Sequence, residues 1–245
     1  MIIIKTDKEI ELIKEPCKIL KDALLVAEQS IKAGMSTKEL DKIIHDYIIS
    51  YGAKPSFLGL YGFPGSACIS INEEVVHGRP SDRIIKDGDI VSVDVGVFYN
   101  GFHGDAARTY CIGEVGPEKE RLVKVTEECF FKGIEGIMIG SALGDIGYQI
   151  QTHAESNGYS VVRDMVGHGI GREVHEDPSV PNFGRKGTGV RLRKNMTLAI
   201  EPMINMGTYK VDMDGWDCIT RDKKPSAHYE NTVVITDNGV EVLTL

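Results

Sequence analysis

The sequence repeats a pattern of apolar and glycine residues at a constant offset of 106 positions. The matched positions are Gly34, Leu40, Ile44 and Gly52 in the first half, and Gly140, Ile146, Ile150 and Gly158 in the second. Self-similarity at a fixed offset indicates that one structural unit occurs twice. We therefore interpret the chain as two related halves, which restricts the fold more strongly than the composition does.

Each half begins with a predicted helix pair. Apolar residues recur at steps of three and four, as expected of an amphipathic helix, at Ile10, Ile13, Cys17, Leu20, Leu24 and Ala27. Capping-box spacing marks two helix starts, at Thr6 with Glu9 and at Ser36 with Glu39. Pro16 predicts a kink or a restart in the first helix. The second pair is predicted around residues 117–139 and 142–157.

Two strand-like segments follow each helix pair. They cover residues 90–96 and 104–110 in the first half, and 196–202 and 229–235 in the second. The segment 76–80, Val-His-Gly-Arg-Pro, also resembles the segment 174–178, Val-His-Glu-Asp-Pro. Helices followed by strands, twice over, predict an α+β fold with the helices on the outer face of a curved antiparallel sheet. Because no Pro/Gly/Ser-rich linker separates the halves, we expect residues 1–245 to form one pseudo-symmetric domain.

The charge and cysteine content narrow the class of protein. A net charge of −8 argues against a DNA-binding or anionic-membrane surface, although it leaves a local basic patch open. Five cysteines without a CxxC pair favour reduced thiols. The chain has no apolar run that would span a bilayer, and charged residues from Lys5 onward interrupt its apolar start. We expect a cytoplasmic protein.

Two carboxylates lie within apolar segments, where burial of a charge costs free energy. Asp94 lies inside the apolar run 90–98, and Glu201 lies between the apolar residues 198–200 and 203–204. A single buried acid can be stabilised by a turn or an arginine, but an unpaired one costs several kcal/mol. A pseudo-twofold axis would bring four such acids together, namely Asp94, Asp105, Glu201 and Glu230. Two divalent metal ions would neutralise such a group, as in two-metal hydrolases.

The glycine-rich segment 167–175 supplies candidate histidines. His168 lies between two glycines, which permit a close approach of the backbone, and His175 follows seven residues later. Alone, this segment would be interpreted as a turn with incidental histidines. Beside the four acids, His168 completes a set of four carboxylates and one imidazole, which favours Mn, Fe or Co.

Taken in order, these segments resemble the type I methionine aminopeptidases. The resemblance covers essentially the whole chain and depends on five motifs: Asn72-Glu73-Glu74-Val75-Val76-His77-Gly78, Asp94 with Asp105, Gly167-His168-Gly169-Ile170-Gly171, Ile200-Glu201-Pro202, and Tyr229-Glu230-Asn231-Thr232. It implies the pita-bread fold that this family shares with prolidase, aminopeptidase P and creatinase. It also implies hydrolytic removal of methionine from the N-termini of peptides and nascent proteins.

The resemblance implies a role for each ligand residue. Asp94 would chelate one ion, and His168 with Glu201 would bind the other. Asp105 and Glu230 would bridge the two ions. A hydroxide held between the ions would then attack the first peptide bond.

His77 and His175 would contact the scissile amide and would not be ligands. His175 would stabilise the oxyanion. Glu201 would take a proton from the attacking water, and His77 would assist at the leaving nitrogen. The free α-amine of the substrate would bind a metal ion, so that only the first residue is removed. His103 matches no functional position, and His45, His153 and His228 are interpreted as surface or core residues.

The resemblance also implies an apolar methionine pocket, formed by Phe57, Leu60, Phe63, Cys68 and Trp216. Any one of these can equally be an ordinary core residue. The sequence departs from some bacterial members here: Tyr61 replaces a histidine, Leu60 and Phe63 replace tyrosines, and Val174 replaces a phenylalanine. These departures leave the shape of the pocket open.

Two other classes compete with this interpretation. A dipeptidase or Xaa-Pro-cleaving relative would usually carry an additional N-terminal domain. A non-catalytic pita-bread module, binding peptides or proteins, would be expected to have lost ligands, whereas this sequence retains all five. The resemblance implies a monomer, and it leaves docking at the ribosome and the physiological metal open.

Overall fold

Four helices and fourteen strands make up the chain, and the computed structural model describes all 245 residues. The helices are α1 Asp7–Ser30, α2 Thr37–Ser50, α3 Pro117–Ile134 and α4 Leu143–Ser156. The strands are β1 Lys54–Pro55, β2 Ala67–Ile71, β3 Ile90–Tyr99, β4 Phe102–Cys111, β5 Ser160–Val161, β6 Gly167–Gly169, β7 Glu176–Val180, β8 Thr197–Ile200, β9 Met203–Asn205, β10 Val211–Asp214, β11 Asp217–Thr220, β12 Ser226–His228, β13 Asn231–Thr236 and β14 Gly239–Val242. None of the helices combines the length and the apolar character that crossing a membrane requires.

Both predicted capping boxes are present at the starts of α1 and α2. The Thr6 hydroxyl accepts a hydrogen bond from the Glu9 amide, and the Glu9 carboxylate accepts one from the Thr6 amide. Ser36 and Glu39 form the same reciprocal pair. The predicted restart at Pro16 is wrong, because α1 continues through it. Pro16 is buried, and packing of the apolar residues around it compensates for the backbone hydrogen bond that proline cannot donate.

The predicted second helix pair is present, with one boundary shifted. α3 ends at Ile134, whereas the pattern predicted helix to residue 139. Two residues after Ile134, Gly136 takes the left-handed backbone conformation (φ +70°), which ends a helix readily. The structure confirms the α+β class.

In the first half, β3 is the centre of an antiparallel sheet. β4 pairs along one edge of β3, while β1 and β2 pair along the other. Helices α1 and α2 pack against this sheet through buried aliphatic side chains, which include Leu20, Leu24, Leu40, Ile44, Ile69, Val91, Val93 and Val95. Packing of this kind stabilises a helix far more than its propensity does.

The second half has two antiparallel sheets and a hairpin. One sheet has the order β14-β13-β8-β6-β7, the other has the order β12-β9-β5, and β10 pairs with β11. Helices α3 and α4 pack against these sheets through a second apolar core, which includes Leu122, Phe130, Ile146, Ile150, Leu198, Ile204 and Val233.

Two strands predicted to be continuous are broken in the second half. The segment 196–202 ends as β8 at Ile200, and the segment 229–235 begins as β13 at Asn231. Glu201 and Pro202 lie between β8 and β9, and Glu230 lies between β12 and β13. Proline has no amide hydrogen to donate to a ladder, which explains the first break.

Backbone hydrogen bonds join the two halves along a seam between β4 and the break at Glu230. The Ala107 amide donates to the Glu230 carbonyl (3.3 Å), and the Glu230 amide donates to the Ala107 carbonyl (3.0 Å). Two residues away, the buried Thr232 hydroxyl accepts from the Asp105 amide (2.9 Å) and donates to the Asp105 carbonyl (2.8 Å). The seam therefore holds an acid of the first half beside an acid of the second.

We predict that Thr232→Val lowers the free energy of unfolding by about 1–3 kcal/mol, because it leaves buried backbone groups of Asp105 without partners while keeping the side-chain volume. Chemical denaturation in the presence of a chelator measures this difference without a contribution from bound metal. Thr152→Val is the matched control, since its exposed hydroxyl bonds only to Tyr148 within α4. Equal stabilities of the two variants would show that the hydrogen bonds of the Thr232 hydroxyl contribute nothing to the seam.

Candidate active site

Strand register places the acids of each half on one face. In the β3–β4 ladder Asp94 lies opposite Ala107, and Asp105 lies opposite Gly96. The two aspartates are therefore diagonal neighbours that point to the same side of the sheet. In the second half, the pairing of Asn231 with Ile200 and of His228 with Met203 leaves Glu230 opposite Glu201.

The seam brings these two pairs of acids into one site, with His168 beside them. Donor atoms of Asp105, His168 and Glu230 lie within 4.8 Å of one another. The Nε2 atom of His168 is 3.8 Å from Asp105 Oδ2 and 3.8 Å from Glu201 Oε1. The side chains of Asp94 and Asp105 are in direct contact. The structure thus gathers all five predicted ligand residues.

The glycines around His168 permit close packing of β6 between its neighbours. A Cβ atom on Gly167 would lie 2.3 Å from the Ala199 carbonyl oxygen, and one on Gly169 would lie 2.2 Å from the Asp177 carbonyl oxygen. The Nδ1 atom of His168 is 2.9 Å from the Gly169 carbonyl oxygen, so Nδ1 carries the hydrogen. Nε2 then presents its lone pair to the acids, the arrangement found in metal-binding histidines.

The electrostatics of the site fit a cationic occupant. Burial raises the pKa of Asp94 to about 7 and raises those of Asp105, Glu201 and Glu230 well above their usual range, and neighbouring acids add to the rise in these three. Buried oxygens of Asp94, Asp105 and Glu230 have no hydrogen-bond partner. Burial lowers the pKa of His168 to about 4, which keeps the imidazole neutral. A group of oxygen donors and a neutral imidazole is suited to divalent metal ions.

His77 and His175 face the same pocket. His77 adopts a left-handed backbone conformation (φ +59°), an uncommon one for a residue with a side chain, and its ring meets Trp216 edge-on. The His175 ring centroid is 4.5 Å from that of His168 and stacks at 6.3 Å on Tyr61. Burial lowers the pKa of both His77 and His175, so both are neutral N–H donors at neutral pH.

An apolar wall adjoins these polar groups. Phe57, Phe63, Cys68 and Val174 form a buried cluster against which Leu60 and Trp216 pack. Because Gly96 has no Cβ, the Phe57 ring of this cluster can pack against it; a Cβ there would lie 2.7 Å from that ring. The pocket is lined by all five predicted ligand residues, both histidines and all five predicted wall residues, with Tyr61 in addition.

Sequence reasoning missed two residues beside the acids. His228, interpreted as an incidental histidine, is buried with Nε2 at 3.6 Å from Glu201 Oε2 and 3.8 Å from Glu230 Oε2. Its position two residues before Glu230 was the available signal, because alternate residues of an extended segment face the same way. Asn182 donates to the Glu201 carbonyl at 3.0 Å, where the strand is broken, and no motif marked it.

The other histidines lie outside the pocket. His103 contacts the Ser56 hydroxyl through Nδ1, His45 contacts the Ser66 hydroxyl, and His153 pairs with Glu128. None of the three lines the cavity that holds the acids.

The buried acids, the imidazole and the adjoining pocket define a metallopeptidase site, and comparison with known proteins agrees. Residues 11–237 match the model of metallopeptidase family M24. The chain belongs to this family.

Within the family, the likeness is to the methionine aminopeptidases. The chain is 56% identical to a methionine aminopeptidase of Clostridium perfringens, over 100% of this chain and 99% of that protein. It superposes on the crystal structure of a methionine aminopeptidase from Rickettsia prowazekii with a TM-score of 0.98, at 44% identity over the full length of both chains. The predicted pita-bread fold is confirmed.

A prolidase from Pyrococcus furiosus resembles the chain less closely. The TM-score is 0.81 at 27% identity, and the match covers 99% of this chain but only 65% of the prolidase. The match leaves the remaining part of the prolidase uncovered.

We predict that metal affinity increases as the pH rises through about 7. Since the site acids have raised pKa values, the metal-free site holds protons that a metal ion must displace. Each displaced proton weakens binding by about tenfold per pH unit below the pKa of its group. Calorimetry of Mn²⁺ binding in buffers of different ionisation enthalpy counts the released protons, and Asp94→Asn should reduce that number. Binding that is independent of pH would contradict the assignment.

Proposed function

We propose that this chain is a dinuclear metal-dependent aminopeptidase that removes methionine from the N-termini of peptides and newly made proteins. One observation carries the proposal: five metal-binding side chains, two neutral histidines and an apolar wall line a single pocket. The full-length relatives that bear the name methionine aminopeptidase support it. The hydrogen-bonded seam supports one catalytic domain over residues 1–245.

Each ligand has a proposed place. Asp94 would hold one ion, His168 and Glu201 would hold the other, and Asp105 and Glu230 would be shared. The central position of Asp105 and Glu230, which are close to each other and to His168, supports their shared role. Asp94 contacts Asp105 on one side of this group, and Glu201 lies beside His168. Four carboxylates with one imidazole favour Mn, Fe or Co over metals that prefer thiolates.

Divalent ions in such a site lower the pKa of water and polarise an amide carbonyl. The residues of the chain then handle the protons. The Glu201 carboxylate accepts the proton of the attacking water. The proton taken up by Glu201 then passes to the leaving nitrogen, where the neutral His77 N–H assists by hydrogen bonding. The N–H of His175 donates to the carbonyl oxygen, where negative charge develops in the transition state.

The apolar wall supports methionine as the preferred first residue. Phe57, Phe63 and Cys68 present carbon and sulfur surface, and the unbranched thioether of methionine adapts to such a surface. A charged side chain placed against this wall would lose its hydration without gaining a partner.

We also propose that the protein acts as a monomer in the cytoplasm on nascent chains. Cosedimentation with ribosomes tests whether it docks at the ribosome. Five free thiols support a reducing compartment. The strongly negative overall charge argues against DNA as a partner.

The assignment of ligands and histidines is tested by paired variants. Glu230→Ala should abolish release of methionine from Met-Ala-Ser and reduce bound metal, measured by mass spectrometry. His77→Ala should lower kcat by at least ~10²-fold with metal retained, as expected when a hydrogen-bond donor at the reacting amide is lost. Asp237→Ala, in an exposed ion pair with Lys194, is the control. Normal turnover of Glu230→Ala would refute a shared ligand, and loss of metal in His77→Ala would make His77 a ligand.

Pocket shape is tested by varying the first residue of Xaa-Ala-Ser peptides. We expect leucine and norleucine to be accepted with penalties of about 1–3 kcal/mol in kcat/KM, because apolar pockets discriminate weakly among similar groups. Val174→Phe should narrow the selectivity towards methionine by filling space in the wall. Val190→Phe adds the same bulk to an exposed loop and should change nothing. A preference for lysine or glutamate in the unmodified protein would overturn the methionine assignment.

A further inference from the structure

An almost completely buried ion pair lies beneath the loop that carries His175. Lys5 Nζ is 2.5 Å from Glu176 Oε2, and the two side chains are only 2% and 4% exposed. Lys5 belongs to the segment that precedes α1, whereas Glu176 directly follows His175 in the chain. The pair therefore connects the start of the chain to a residue next to the proposed oxyanion donor.

The second oxygen of Glu176 holds the backbone of the same loop. Oε1 accepts from the Arg172 amide at 2.8 Å and from the Glu173 amide at 3.4 Å. The pair also packs tightly under Gly171, where a Cβ would lie 2.5 Å from Lys5 Cε and 2.7 Å from Glu176 Oε1. The Glu176 carboxylate therefore bonds both to the buried lysine and to the turn that leads to His175.

Backbone hydrogen bonds fix both Lys5 and the loop to other parts of the chain. The Lys5 amide donates to the Asn195 carbonyl at 3.2 Å, immediately before the capped start of α1. On the opposite side of the loop, the His103 amide donates to the Gly171 carbonyl at 2.8 Å. The loop is held between the N-terminal segment and the β3–β4 hairpin.

His175 itself has no such support. Its ring makes aromatic contacts with His168 and Tyr61, but neither ring nitrogen forms a hydrogen bond within the chain. The direction of its N–H bond therefore depends on where the loop backbone places the residue. Burying two charges carries a desolvation cost, which is consistent with a role in fixing geometry.

We propose that Lys5 and Glu176 are positioning residues for catalysis, which hold the loop so that His175 points at the reacting carbonyl. This inference depends on the proposed role of His175. A side chain displaced by about 1 Å can reduce turnover on the order of 10²-fold. Because His175 acts where charge develops in the transition state, its displacement affects kcat more than KM.

The test compares Lys5→Met, Glu176→Gln and the double variant with the unmodified protein. The double variant leaves no lone buried charge, so it remains folded if a single variant does not. We expect each folded variant to lose kcat on Met-Ala-Ser on the order of 10²-fold, with KM and metal content nearly unchanged. In the metal-free proteins, hydrogen exchange at the Arg172 and Glu173 amides should become faster. Lys194→Met, which breaks the exposed pair with Asp237, is the control and should match the unmodified protein.

Three results from these variants would overturn the inference: an unchanged kcat in the double variant, unchanged amide protection in the loop, or a loss of activity explained by lost metal. His175→Ala with normal kcat would also overturn it, while the aminopeptidase proposal would stand. If the unmodified protein released no methionine from Met-Ala-Ser, the proposed function would fail. The exchange measurement would still report whether the pair holds the loop.

Discussion

Four carboxylates share one buried volume where the halves of the chain meet, and the rest of the structure has to tolerate their mutual repulsion. Burial raises the pKa of each, and oxygens of Asp94, Asp105 and Glu230 are left without hydrogen-bond partners. Such an arrangement is stable only if the backbone is held firmly. The reciprocal hydrogen bonds of Ala107 with Glu230, and those of Thr232 with Asp105, provide that support.

The two halves contribute to the site in different ways. Asp94 and Asp105 lie within continuous strands, whereas Glu201 and Glu230 lie at breaks in theirs. At a break the peptide groups lose ladder partners, so other groups must satisfy them. For this reason the Asn182 side chain donates a hydrogen bond to the Glu201 carbonyl. Only the second half adds a histidine to the ligand group, so the pseudo-symmetry of the fold does not extend to the chemistry.

Residues of different kinds surround the four carboxylates. Apolar residues form a wall of the pocket, and the neutral histidines His77 and His175 line the same pocket. A lysine from the start of the chain supports the loop that carries His175 through Glu176. The site therefore depends on segments that lie far apart in the sequence.

The sequence by itself determined the features that arise from local rules. Helix starts followed from capping residues three positions apart, and core faces followed from apolar periodicity. Asp94 and Glu201 stood out as charges within apolar runs, and the repeat pointed to Asp105 and Glu230. The family resemblance supplied the ligand roles and the pocket, which no spacing alone could indicate. The sequence could not predict the exact ends of the strands around Glu201 and Glu230, because a strand break depends on which partner strand supplies hydrogen bonds.

Only the tertiary structure decided the contacts that close the site. Thr232 meets Asp105 across 127 residues of sequence, and Lys5 meets Glu176 across 171. His228 meets Glu201 for the same kind of reason. Periodicity and capping describe the interactions of a residue with its neighbours in the chain. They carry no information about which distant groups become neighbours when two halves pack against each other, and the energy of a buried charge depends on those groups.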